Sequence, residues 1–186
     1  MSQPIAGFSA EDVLDFWFVE TPPVKWFQKS TIFDELVRER FHLLIHEVLD
    51  GQFADWTEQP DSCLALILIL DQFPRNIYRD TPKMIAGDEA ALSLSQLCVD
   101  RDYIQHPDQR YRQFMLMPMM HSEELAVQEM SLTLFEQFTN AQTYDYALRH
   151  RDIIARFGRF PHRNAILGRT STNEERAFLS EPGSSF

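Results

Sequence analysis

The chain has 186 residues, 44% of them hydrophobic and 24% charged, and a formal net charge of −11. That length and composition suit one domain with a sizeable buried core, and they exclude wholesale disorder. The negative balance argues against general binding to nucleic acid or anionic membranes, which needs a positive surface field.

Helical signals run along the whole chain. The opening MSQPIAGFSAEDVLDFW has no basic n-region, so no signal peptide is expected. Ser9, with Asp12 three residues on, predicts a short helix through VLDFWF, and Pro22 and Pro23 break the chain after it. A second helix is expected from Ser30 to Asp50 and ends at Gly51. Its Phe33, Val37, Phe41, Leu44, Ile45 and Val48 form one apolar stripe at helical spacing. A third starts near Asp61 and holds LALILIL, residues 64–70. Its Leu and Ala content favours a helix packed on all sides over a strand, and the run is too short to span a bilayer.

A fourth helix is expected over residues 87–103. Pro107 fits the first position of a fifth, running through YRQFMLM and interrupted at Pro118. A sixth covers residues 122–138 and a seventh 143–157. The last begins at Ser171, where Ser171 and Glu174 have the spacing of a capping box. No stretch alternates with period two between hairpin turns, so the expected fold is an all-α helical array without a sheet. With no linker or low-complexity segment, residues 1–186 are expected to form a single domain. Cys63 and Cys98 lie in apolar helical contexts without zinc or CxxC spacing. They read as reduced core thiols of a cytoplasmic protein.

The basic residues are unusual in kind and in place. Of 17, 14 are Arg, the side chain suited to forked contacts with carboxylate or phosphate. The stretch RFGRFPHRNAILGR, residues 156–169, holds four of them, and residues 149–169 hold six Arg against the single acid Asp152. Arg159, His162, Arg163 and Arg169 would repel one another unless carboxylates or a bound anion sit among them. FPRN at 73–76 returns here as FPHRN at 160–164, which suggests similar local architecture: aromatic anchor, proline turn, then Arg and Asn projecting together.

Three other groups have the residue types of a site. In DQFPRNIYR, 71–79, Asp71 and Arg75 are spaced to pair on one helix face, and a break at Pro74 would present them with Asn76 at a helix end. In PMMHSEEL, His121 and Glu124 are expected to share a helix face. With His150 and Asp71 they have the makings of mixed metal ligands or of a general acid/base pair, and the incomplete ligand set favours the latter. His42 and His46 stand four apart, but no HExxH or di-iron ligand set accompanies them, so neither a metal nor a cofactor is expected.

Taken together, FWF (16–18), WF (26–27), LALILILDQFPRNIYR (64–79), P-x-x-HSE (118–123), RHRDIIARFGRFPHRNAILGR (149–169) and the ST-x-EE…FL stretch (171–179) resemble a bacterial family known as domain of unknown function 924. The resemblance covers nearly the whole chain. It implies an all-α fold like that of tetratricopeptide-repeat proteins without their consensus, and it brings no established activity, cofactor or substrate, so function stays open. The positions matching the family's motifs are Asp71, Arg75, Asn76, His121, Glu123, His150, Arg151, Arg159, His162, Arg163 and Asn164.

The leading expectation is a binding module whose pocket is lined by the two Phe-Pro-Arg-Asn turns, His121 and His150. It would accept an anionic small molecule or an acidic peptide end. Arg75, Arg159 and Arg163 would fork to oxygens, with Asp71 orienting an arginine. The alternative is an enzyme using His121 or His162 as general acid/base, oriented by Asp71 or Glu124. A third reading makes these residues an internal network that only builds the fold.

Overall fold

In a computed structural model describing residues 7–184, Ser9 opens the first helix as its spacing predicts. The start of the segment without a basic n-region, residues 1–6, lies outside the described residues. The Ser9 hydroxyl accepts the Asp12 N–H, and the Asp12 carboxylate accepts the Ser9 N–H at 2.8 Å, capping α1 (Ala10–Asp15). The helix runs on into a wider π-helical turn, Phe16–Glu20, that buries Phe16, Trp17 and Phe18. Both the N–H and the hydroxyl of Thr21 donate to the Phe16 carbonyl and close that turn.

Helix α2 (Thr31–Leu49), capped by Ser30, buries the expected stripe from Phe33 to Val48. Gly51 follows at φ 83°, a left-handed conformation that glycine adopts without a side-chain penalty. Next come α3 (Pro60–Ile67), a second π-helical turn (Leu68–Gln72) and α4 (Phe73–Ile77). The expected break at Pro74 is therefore a widening instead. Pro74 has no N–H for the Leu70 carbonyl, and the chain adapts by pairing the Phe73 N–H with the Leu68 carbonyl, five residues back. The all-apolar run lies in the centre of the core.

Helices α5 (Asp88–Asp100), α6 (Gln109–Met120), α7 (Leu125–Phe138), α8 (Ala141–Phe157) and α9 (Asn173–Leu179) complete the array. Among the described residues there is no strand; the fold is all-α. Several boundaries differ from expectation, for local reasons. Helix α6 starts after Pro107, because the Asp108 carboxylate accepts the Arg110 N–H and is the cap. Pro118 does not interrupt α6; it falls in the last turn, and the helix continues to Met120. Helix α7 starts at Leu125, three residues late, because buried Gln128 donates to the carbonyls of Met120 and Ser122 and holds the connection open. The last capping box is Thr172–Glu175, one residue beyond the Ser171–Glu174 pair.

The connections between α6, α7 and α8 are short, and α6 packs on α7 and α7 on α8 as antiparallel neighbours. Arg112, early in α6, donates from Nε to the carbonyl of Phe138 at the end of α7, 2.9 Å away. Helices α6 and α8 consequently run the same way, and their C-terminal halves bring the rings of His121 and His150 within 6.2 Å. Cys63 on α3 and Cys98 on α5 are buried free thiols whose sulfurs are 3.6 Å apart. No helix among the described residues is long and apolar enough to cross a membrane.

Candidate functional site

The π turn before Pro74 sets the floor of the site. It carries Asp71 into full burial, where the carboxylate is shared among three side chains. One oxygen, Oδ1, meets Nδ1 of His121 at 2.7 Å and Nη1 of Arg75 at 3.0 Å; the other accepts from Nε2 of Gln72 at 2.6 Å. Burial raises the carboxyl's proton affinity, but the charge of Arg75 and the hydrogen bonds from His121 and Gln72 outweigh it. Asp71 is held well below the usual carboxylate range. An ionised carboxylate only accepts, so Nδ1 of His121 carries the proton and donates. Burial and the neighbouring Arg75 guanidinium lower the His121 pKa against the pull of Asp71. The neutral ring then leaves Nε2 as its basic nitrogen.

Asp88, the first residue of α5, is the hub that ties the two echoing motifs together. Arg75 forks to it with Nη1 and Nη2 at 2.8 and 2.9 Å, and Arg163 approaches it at 3.3 Å. The likeness of FPRN and FPHRN is thus structural as well as textual. Phe73 and Phe160 are both fully buried, each proline opens a helical turn, and both arginines turn to one carboxylate. Arg163 also donates to the carbonyl of His121, while its Nε is buried with no hydrogen-bond partner among the described residues. Burial and then Arg75 push the Arg163 pKa down to about 10, so it stays charged at neutral pH.

Two more histidines complete the wall. His150 meets the Tyr146 carbonyl through Nδ1 at 2.7 Å, and its ring stands edge-on to Phe160 at 5.6 Å. Burial, then His121, holds its pKa at about 3, whereas burial and Arg163 hold that of His162 at about 4. Arg75, Asn76, His121, His150, His162 and Arg163 all line one cavity of about 860 Å³. Of the predicted site residues, these six are brought together, with Asp71 directly behind His121.

The others are placed elsewhere. Glu124 is exposed and stands just before α7 without a side-chain capping bond, while His121 stands just after α6, so the two share no helix face. Arg151 pairs with Asp152 at 2.7 Å, and Asn164 donates to Ser171. Arg159 grips Glu175 with Nε and Nη2 at 2.7 and 2.9 Å, holding that carboxyl at about 2 together with the Thr172 N–H. Arg169 forks to Glu123, which also accepts the Phe160 N–H at 2.8 Å. All six arginines of residues 149–169 have a carboxylate within 4 Å, supplied in part by distant acids such as Asp88 and Glu123. His42 and His46 are exposed on α2, the latter meeting the Tyr78 hydroxyl. Among the described residues no group of three or more His, Cys, Asp or Glu is arranged to hold a metal ion.

Sequence reasoning missed Asp88, Gln72 and the apolar side of the cavity, including Trp26, Phe27, Met117 and Tyr146. The one available signal for Asp88 was its place after Gly87, an acid in the first turn of a predicted helix; nothing local marked its partners.

The same chain matches, over residues 13–183, the model of a bacterial family of unknown function, DUF924. It belongs to that family. A solved structure of a protein of unknown function, ATU0120 from Agrobacterium tumefaciens, is similar to it at 38% identity and a TM-score of 0.88, over 92% of this chain and 96% of that one. No curated protein matches the chain.

Proposed function

We propose that the cavity binds a small molecule bearing an oxyanion. One observation carries the reading: Arg75 and Arg163, with His121, His150 and His162, converge from segments far apart in the chain onto one wall of a single cavity. Its volume, about 860 Å³, falls in the range of small-molecule pockets. The test is a thermal-shift and calorimetric titration of the full chain with carboxylates and phosphates of graded size. A ligand at a hundred times its dissociation constant adds about 2.7 kcal/mol of stability. Saturable one-to-one binding is expected; a panel of oxyanions that neither shifts the midpoint nor releases heat would end the proposal.

The Asp71–His121 hydrogen bond favours a second reading, in which bound ligand undergoes proton transfer at Nε2 of His121. A carboxylate-oriented neutral imidazole at a cavity wall is the arrangement a general base requires. Under this reading the ligand identified by titration is converted by the wild-type chain, whereas His121→Gln binds but does not convert it. Recovery of unchanged ligand after long incubation with excess wild-type protein would leave binding alone.

A further inference from the structure

The cavity has two unlike ends, and their order along the helices indicates how a ligand lies in it. On α6 the lining residues Gln113, Met117 and Met120 lead to His121 at the C-terminus. Eight positions at 1.5 Å each give this wall a length of about 12 Å. Beside its N-terminal half stand Trp26 and Phe27, packed on Phe114 at centroid distances of 5.1 and 6.1 Å. At its C-terminal end are His121, His150 and the arginines that meet at Asp88. Phe27, 64% exposed and stacked on Phe114, and Tyr146 on α8, 41% exposed with Arg149 over its ring at 5.6 Å, both line the cavity and keep aromatic surface open to a ligand.

Resting on the oxyanion-binding reading, we propose that the ligand is an elongated aromatic monocarboxylate. Its ring lies against Phe27 and Tyr146, and its carboxylate meets the Arg163 and histidine end. The aromatic preference follows from side chains that offer π faces and methionine sulfur; such contacts favour a ring beyond the apolar area they bury. The single charge follows from the balance of the polar end. Arg75 and Arg163 are matched there by Asp71 and Asp88, and the three histidines lie among them. With both arginine charges already matched, one incoming negative charge is held by hydrogen-bond donors such as the unpartnered Arg163 Nε, and a second would find no cation to meet it.

The experiment is isothermal titration of the full chain with acetate, hexanoate, 3-phenylpropanoate and inorganic phosphate. One 3-phenylpropanoate should bind per chain, roughly tenfold more tightly than hexanoate, with acetate weaker still. Phe27→Ala, a change at an exposed side chain, should bring 3-phenylpropanoate down to the affinity of hexanoate, with an unchanged circular dichroism spectrum. Tyr146→Leu on α8 gives a second, independent measure of the same loss. Equal affinity for hexanoate would refute the aromatic body, and equal affinity for acetate the two-ended ligand. Tightest binding by phosphate would refute the monocarboxylate while leaving oxyanion binding intact. Silence from all four probes would remove the oxyanion reading and this inference together.

Discussion

Residue type made Asp71 one of two candidate orienters of His121, but with fifty residues between them sequence spacing could not choose it over Glu124. A fully buried carboxylate with three polar partners is stable only while all of them are present. Asp71→Asn should cost about 3–5 kcal/mol, as for a buried ion pair that loses one member. Chemical denaturation of the variant beside wild type measures it, and a loss under 1 kcal/mol would show that Arg75 is satisfied by Asp88 alone. His150 makes a pH prediction. Its folded pKa of about 3 lies below the ordinary 6.5, so as pH falls the unfolded chain takes up this proton first. The stability it contributes is complete above about pH 6.5 and is lost progressively toward about pH 3. In that window His150→Gln should flatten the stability curve by about 1.4 kcal/mol per pH unit. An unchanged slope from pH-dependent urea denaturation would contradict the assignment.

The junction of α5 with the π turn is the element on which the site depends. Pro74 leaves the Leu70 carbonyl without its usual helical donor, and Gly87 packs directly over that carbonyl. A Cβ at Gly87 would collide with this backbone, which cannot move aside as a flexible side chain would. Gly87→Ala should therefore destabilise the fold by about 1–3 kcal/mol. It would also push Asp88, the next residue, away from Arg75 and Arg163. The check is a pair of measurements, thermal midpoint and oxyanion affinity, which should fall together; a full-stability variant with wild-type affinity would show that α5 shifts freely. The glycine was visible as a helix start, but its real constraint is this close approach.

Across the molecule, helical periodicity and caps were readable because each depends on residues within one or two turns. The α2 stripe, the Ser9–Asp12 box and the stop at Gly51 are of this kind. Boundaries slipped where a distant or competing side chain intervened, as Gln128 does before α7 and Asp108 at the start of α6. The buried Cys63–Cys98 contact joins α3 to α5 in the core, so thiol reaction reports on the integrity of the whole. Native protein should react with a disulfide reagent only as fast as it unfolds, with rates rising in urea alongside global unfolding. Rapid labelling of the native chain would instead show α5 opening on its own.

The arginine-rich stretch divides local from long-range information most clearly. Its composition announced that positive charge needed compensation, because like charges held close demand it whatever the fold. All six arginines of residues 149–169 are tied to carboxylates, and which of them also faces a cavity follows from packing alone. Glu123 and Asp88 come from other parts of the chain to hold Arg169 and Arg163, while Glu175 on α9 takes Arg159 out of the cavity. Helix type and length are settled by nearest neighbours along the chain. The buried Asp71–Arg75 pair, four residues apart, was legible from spacing; the other partners of these charges are settled by whichever opposite charge the folded core brings within reach, and no local spacing encodes those.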